Sequence, residues 1–481
     1  MLSRRTAIFG ALAASASRRG IAEAQNPPAG GSGGDAAPRT ILRLQRRNIE
    51  VNGKSASVYG IEQPDGAFGI TTEVGKPFRV RVENAIGQPS LIHWHGLAPP
   101  WQQDGVPGAS GPPIAAGGSA DYDFPLNYGG TFYMHSHEGL QEQSLLLAPL
   151  IIHDRRGKGV QQELVVLLND FSFTPPEQIY EGLRKGGSMS NMAGGGAKKP
   201  GMAGMAQAAA AGPDLNDVKY DAFLANYRTL ADPEVIKAEP GAEVLLRVIN
   251  SSSMSNFHLD LGRLKGALIA VDGFRVVPVV AQHFPIAVAQ RLDIRISVPR
   301  EPMAYPLLAL LEGERRQTGI IIAAGNAAIA KVPESANTSS AALTLDLERR
   351  LRAAEPLKPR KPDRSYTLNL TGEMAGYIWS INNVVWNKDV PPLPIAEGER
   401  VELIMINRTP MPHPMHLHGH QFQVVEINGK RFPGAVRDTV LVPPGHRVVV
   451  VFDANNPGLW AFHCHLLYHL EAGMFTTFRY L

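Results

Sequence analysis

GKPFRVRVEN, residues Gly75 to Asn84, is a glycine-led stretch in which Phe78, Val80 and Val82 alternate with Arg79, Arg81 and Glu83. Alternation with a period of two marks a β-strand with one buried face. The stretch returns as GAEVLLRVIN (Gly241 to Asn250) and again as GERVELIMIN (Gly398 to Asn407), each led by glycine and stopped by asparagine. The starts lie 166 and 157 residues apart. A repeat at that interval, made of short alternating strands between Gly/Pro turns, predicts an all-β chain of three tandem sandwiches.

The register continues past each asparagine. It reaches His93, His95 and Gly96 in the first copy, Leu259, Leu261 and Gly262 in the second, and His416, His418 and Gly419 in the third. Alternate residues of a strand share a face, so both imidazoles of a His-x-His pair can enter one cavity. A second repeated block, GTFYMHSHEG from Gly130 and GLWAFHCHLL from Gly458, adds His135, His137, His463 and His465, while the middle copy, near YPLLALLEG from Tyr305, has no histidine. Eight imidazoles in the first and third repeats point to one metal site shared between them. Imidazole alone suits copper, iron, zinc or nickel. The single Cys464 stands between two of the site histidines, with His469 five residues on, Met474 ten residues on and His413 three before the third pair. Two His, one thiolate and a weak axial Met are the donors of a blue-copper electron-transfer site. In the first repeat the corresponding positions hold Ser90, Ser136, Gln141 and Leu146, so the four residues are absent there as a set. In the HCH run Cys464 faces away from its two neighbours, and only a few covalent bonds separate the two centres.

The length of 481 residues predicts about three domains. One cysteine excludes an intramolecular disulfide, zinc ribbons, ferredoxin-type clusters and CxxC redox motifs. A hydrophobic fraction of 44% with 19% charged residues fits a globular chain, and no apolar run reaches the roughly 18 residues of a spanning helix. The net charge of +3 comes from the first 24 residues. There SRRTAIF, an apolar stretch to Ala16 and Ala22-Glu23-Ala24 read as a signal peptide, and Arg4-Arg5 points to the twin-arginine export machinery. Cleavage after Ala24 removes four Arg and one Glu and leaves a formally neutral chain, with no charge signal for nucleic acid or an anionic surface.

HWHG, HSH, HPMHLHGH and HCHLLYHLEAGM together resemble the multicopper oxidase family of laccases and ascorbate oxidases, and the resemblance covers nearly all of the chain beyond the leader. It implies three tandem cupredoxin-like Greek-key β-sandwich domains. It also implies four copper ions, with one-electron oxidation of a phenolic or aromatic donor, or of Cu(I), coupled to four-electron reduction of dioxygen to water. By the same resemblance His93 and His416 bind a type 2 copper, and His95, His135, His137, His418, His463 and His465 bind a type 3 pair. His413, Cys464 and His469 bind type 1 copper with Met474 axial, and electrons enter at the exposed edge of His413 or His469. Asp104, in QQDGVPG, matches a family carboxylate and is expected to relay protons, although Asp-Gly is also a turn signal. Tyr468 stands where some bacterial relatives carry Glu, leaving Glu138 and Glu142 as nearby acids. His153, His258, His283, His420 and His446 are off register and read as structural.

HSHEGLQEQ and HCHLLYH look like bacterial copper-resistance oxidases, whereas HPMHLHGHQF looks like laccases. The alternatives are therefore a phenol oxidase, a cuprous oxidase for copper tolerance and, from another class, an exported structural or copper-binding protein on the same scaffold. The expected organisation is a leader over 1–24, a flexible linker over 25–39, domains over 40–157, 158–330 and 363–481, and a linker over 331–362. The second domain carries a Met/Gly-rich loop at 182–212 with Met189, Met192, Met202 and Met205, which is either a plain flexible loop or a soft docking site for Cu(I). The chain is expected to be a periplasmic or extracellular monomer with no membrane anchor.

Overall fold

The computed structural model describes residues 39–154, 162–186 and 215–481. The leader, nearly all of the first linker and the four methionines of the Met/Gly-rich loop lie outside the described residues. Among the described residues no helix is long and apolar enough to cross a membrane.

The three repeat segments form equivalent strands, Pro77–Asn84, Glu243–Asn250 and Arg400–Asn407. Each is flanked by one parallel and one antiparallel neighbour. These are Thr40–Val51 and Ser119–Pro125 for the first, Gln162–Phe171 and Arg291–Ser297 for the second, and Arg364–Glu373 and Arg447–Asp453 for the third. A second sheet completes each sandwich and again contains one parallel pair: Ile70–Glu73 with Leu147–His153, Val235–Ala238 with Gln317–Ala324, and Leu393–Ile395 with Phe475–Tyr480. Among the described residues six sheets thus make three sandwiches of cupredoxin-like topology. In the first, Phe78, Val80 and Val82 are buried, while Arg79 and Arg81 pair with Asp123 and Asp121 on the neighbouring strand.

The stop asparagine has a physical reason in every copy. Asn84, Asn250 and Asn407 are buried, and each side-chain amide donates to two or more main-chain carbonyls of the loops beyond: Gln88, Ile114 and Ala115; Ser255 and Ile286; Met411 and Val442. Each Oδ1 accepts the main-chain N–H two residues on, from Ile86, Ser252 and Thr409. A local turn whose side-chain amide donates to the loop carbonyls ends the strand and aims the next one. In the first and third repeats that next strand carries the histidines.

Residues 331–362 join the second and third sandwiches but are not a bare tether. They contain a short helix, Asp346–Arg350, bury Leu343 and Leu345, and bond Ala353 N–H to the Gly434 carbonyl.

Asn407→Ala would remove the buried amide that donates to the Met411 and Val442 carbonyls and accepts the Thr409 N–H, leaving Thr409 Oγ1 as the side-chain donor to Met411. The expected loss is about 2–3 kcal/mol of unfolding free energy. Denaturant unfolding of the two proteins checks it, and a difference below about 0.5 kcal/mol, the range of ordinary surface substitutions, would contradict the role.

Candidate metal centre

The first repeat presents its histidines on two paired strands, Ile92–His95 and Gly130–Ser136, with His93 opposite His135. The third repeat does the same with His413–Leu417 and Leu459–Cys464, where His416 faces His463 and Met415 faces Cys464. Ring nitrogens of His95, His135 and His465 lie within 4.8 Å of one another, as do those of His137, His418 and His463, and those of His93, His95 and His416. Every group draws on both repeats.

Hydrogen bonds settle which nitrogen looks inward in six of the eight rings. His93, His135, His416 and His463 donate from Nδ1 to the main-chain carbonyls of Asp104 (2.8 Å), Ser136 (3.0 Å), Asp438 (3.0 Å) and Cys464 (2.9 Å). His418 donates from Nδ1 to Asp104 Oδ2 at 2.9 Å. Their Nε2 atoms are thereby left as acceptors. Nε2 of His93, His135 and His416 is buried and has no partner. Nε2 of His463 lies 2.9 Å from that of His418 and 3.4 Å from that of His137. His95 is reversed: its Nε2 is 3.1 Å from Asp438 Oδ1, and its buried Nδ1 is the atom without a partner. Burial, reinforced by neighbouring imidazoles, holds His95, His137, His418, His463 and His465 well below the usual histidine range. Neutral rings with converging, unpaired acceptors are costly in a dry site unless a cation binds there. The donor set fits copper or another imidazole-binding metal.

The second constellation lies on the other face of the HCH strand. Cys464 Sγ is 3.5 Å from His413 Nδ1 and 3.8 Å from His469 Nδ1, and these two nitrogens are 3.2 Å apart. The outer nitrogens are fixed, His413 Nε2 by Thr409 Oγ1 at 2.7 Å and His469 Nε2 by the Asp217 carboxylate at 3.0 Å. Asp217 also accepts the Tyr377 hydroxyl at 2.6 Å. Met474 is buried, and its main chain bonds Cys464 N–H and the His469 carbonyl. Burial pushes the Cys464 thiol up, and a bound metal would deprotonate it outright. In the first repeat the corresponding positions also meet, as a metal-free counterpart in which Ser90 and Ser136 both donate to Gln141 Oε1 at 2.8 Å.

One expectation is overturned. Neither His413 nor His469 has an exposed edge, for both are fully buried. Asp217 and Tyr377 cap the Nε2 side of His469, and the Trp379 ring stacks on its face with centroids 3.9 Å apart. A donor therefore does not touch a ligand ring, and Asp217, Tyr377 and Trp379 are themselves buried.

Asp104 is 1% exposed, with Oδ2 on His418 and Oδ1, otherwise unpartnered, 3.3 Å from His93 Nδ1. Asp104 also stands at a tight turn. Gly105 has φ +83°, and a Cβ there would fall 1.9 Å from the Ile92 carbonyl oxygen, so the tight turn is what delivers the carboxylate. Of the other acids, Glu142 is buried with Oε2 3.2 Å from His135 Nδ1, whereas Glu138 is only half-buried, its pKa raised by burial and then by Glu471. Tyr468 approaches Gln143 and stacks with Tyr180. The off-register histidines take other partners: His420 bonds Tyr480, His153 bonds Glu163, His258 bonds the Ala341 carbonyl, His446 bonds the Pro444 carbonyl, and His283 lies beside Asp260. Asp438, Asp217 and Arg291 carry no motif. The one available signal was Asp438 next to Thr439, which pairs opposite His416.

Three segments, 43–157, 163–328 and 359–481, match family models described as multicopper oxidase. The chain is 31% identical to the multicopper oxidase MmcO of Mycobacterium tuberculosis, over 96% of this chain and 89% of that protein. It is 28% identical to a copper resistance protein A homolog of Pseudomonas syringae pv. tomato, over 84% and 86% of the two chains. Among solved structures, that of Fet3p, a multicopper oxidase that functions in iron import, superimposes with a TM-score of 0.76 at 20% identity, covering 92% and 90% of the chains.

The buried imidazoles make the copper-free protein acid-sensitive. His420, pushed down to about 4 by burial, stays neutral in the folded chain while an unfolded histidine protonates near 6.5. Its contribution is whole above pH ~6.5 and is lost as pH falls toward 4, about 3 kcal/mol in all. His95, His137, His416, His418, His463 and His465, all lowered by burial, act in the same direction. Denaturant midpoints of the copper-free protein should fall clearly from pH 7 to pH 5, and equal midpoints would refute the neutral-ring assignment.

Proposed function

The chain belongs to the multicopper oxidase family, and from that membership and its buried donor sets we propose how its residues divide the work. It is a copper-dependent oxidoreductase that couples oxidation of phenolic or aromatic donors, or of Cu(I), to reduction of dioxygen to water. The observation that carries the residue assignment is the pair of constellations on opposite faces of one strand: converging, unpartnered imidazole nitrogens on one side, and Cys464 with two Nδ1 atoms on the other.

Four coppers per chain would be held as follows. His413, Cys464 and His469, together with Met474, would hold type 1. His93 and His416 would hold type 2, and the type 3 pair would be held by His95, His135 and His465 and by His137, His418 and His463. Copper supplies one-electron redox chemistry at the thiolate site and multielectron reduction of dioxygen at the histidine cluster. The protein's own part is orientation and protons. Asp104 relays protons to the cluster through Oδ1, beside His93, while its Oδ2 fixes His418. Glu142 is the second acid against the cluster, at His135. All eight cluster imidazoles come from one chain, which supports a monomer. The matched segments support domains over 40–157, 158–330 and 363–481. Arg4-Arg5 supports twin-arginine export to the periplasm or beyond. A structural or copper-storage role on the same scaffold would not require the HCH link, and no ligand is missing. Similarity to copper resistance protein A supports Cu(I) as a donor beside phenols.

Purified protein loaded with copper should be blue, contain four coppers per chain and consume oxygen with a phenol or Cu(I). A colourless, fully loaded protein would reject the reading. Cys464→Ser should abolish the blue band and donor oxidation while keeping most of the histidine-bound copper, and normal phenol oxidation by that variant would rule out the thiolate site as the electron entry. Deleting residues 186–210 should lower the rate with Cu(I) more than the rate with a phenol if the methionines dock Cu(I). Unchanged cuprous kinetics would remove the loop from the mechanism.

A further inference from the structure

Resting on the copper reading above, we propose that the middle repeat, which carries none of the candidate ligands, sets the ligating nitrogens of the histidine cluster. Its Arg291 pins the Asp438 carboxylate, and Asp438 makes His95 present Nδ1 and His416 present Nε2.

The geometry is specific. Arg291 is 0% exposed, and each of its five N–H groups has an acceptor. Nε donates to the Thr131 carbonyl of the first repeat, Nη1 to the Ala289 carbonyl and Asp438 Oδ1, and Nη2 to the Asp272 carbonyl and Asp438 Oδ2. Such a fork-to-carboxylate pair fixes the plane of the anion as well as its position. Asp438 is equally buried. Its Oδ1 also accepts Thr439 Oγ1 at 2.8 Å and lies 3.1 Å from His95 Nε2, while its main-chain oxygen takes the Nδ1 proton of His416 at 3.0 Å. One residue thus fixes two rings from different repeats, in opposite senses. The partner of a ligating imidazole's second nitrogen decides its tautomer and orientation. His95 is the reversed ring for this reason: a carboxylate sits at its Nε2, where His93, His135, His416 and His463 instead offer Nδ1 to a carbonyl.

The placement is particular to the middle copy. The residue that opens this strand, paired one position before the stop asparagine, is Ser119 in the first repeat, Arg291 in the second and Arg447 in the third. Arg447 pairs with Glu426 on its own sheet. Only Arg291 crosses to another repeat with its full fork. Behind it, Asp272 accepts Arg291 N–H at 2.9 Å and Arg437 Nε at 2.8 Å, and Arg437 continues to Glu348. The anion beside the cluster is thereby held in a dry, alternating charge chain.

The test is copper loading of Asp438→Asn, Arg291→Gln, the double variant and Arg291→Lys. Copper per chain, the blue band of the Cys464 site and the electron paramagnetic resonance of the histidine-bound copper are read against the parent. Melting of each copper-free protein reports whether it folds. The double variant removes both charges at once, so it should remain folded where a single one leaves an unpaired ion. Folded variants lacking Asp438 should keep the blue band but bind at least one copper fewer or show an altered cluster signal, with Arg291→Lys intermediate. A folded Asp438→Asn or double variant with the parent's copper content and cluster spectrum would overturn the proposal. Failure of all four to fold would also overturn it, by assigning the pair to assembly alone. A parent that takes up no copper would instead overturn the underlying metal reading.

Discussion

Eight imidazoles from the two ends of one chain have to be held with their inner nitrogens converging, and the layer around them serves that constraint. His93 and His416 are more than 300 positions apart in the chain, yet their rings lie 5.7 Å apart centre to centre. Packing such rings without a bound cation costs free energy, because buried acceptors lack partners and protonation is disfavoured by burial. Stability for the arrangement comes from the layer around it. Carbonyls of Asp104, Ser136, Asp438 and Cys464 and the carboxylates of Asp104 and Asp438 hold the outer nitrogens. The apolar cores of the sandwiches hold that layer in turn.

The same scaffold shows how a metal site is made or unmade by side chains alone. In the third repeat a thiol and two imidazoles converge, whereas in the first two serines and a glutamine converge at the equivalent place and satisfy one another. The backbone supplies the convergence in both cases through the strand that follows the stop asparagine. The middle repeat has lost both constellations and contributes at the borders instead. Asp217 reaches His469, Arg291 reaches Asp438, and Arg247 reaches Thr131 of the first repeat. A buried ion pair such as Arg291–Asp438 adds little net stability over an apolar isostere, but losing one partner is severe, on the order of 3–5 kcal/mol. Pairs of this kind fix geometry more than they add strength.

The covering of the thiolate site changes how a donor can approach. With His413 and His469 fully buried, the layer of Asp217, Tyr377 and Trp379 lies between the ligands and the outside. Exposed apolar residues gather on the adjoining hairpin, where Ile378, Val384 and Val385 flank Trp379 in the chain and Val385 packs against Gly473, next to Met474.

Sequence by itself determined the threefold repeat, the strand character of each copy, the eight imidazoles and the Cys464, His413, His469 and Met474 set, because alternation, spacing and residue type are local properties. It also placed Asp104 beside its turn glycine. Tertiary structure alone decided which nitrogen faces inward in rings such as His95 and His418, since their partners, Asp438 and Asp104, lie more than 300 residues away. It decided between Glu138 and Glu142 as the acid beside the cluster, for the two differ by four positions in sequence but point to different surroundings. It also decided the burial of His413 and His469, because the residues that cover them, Asp217 and Tyr377, come from segments with no motif of their own. Lone residues that orient ligands leave no periodic trace, and only the packing of three repeats against one another gives them their role.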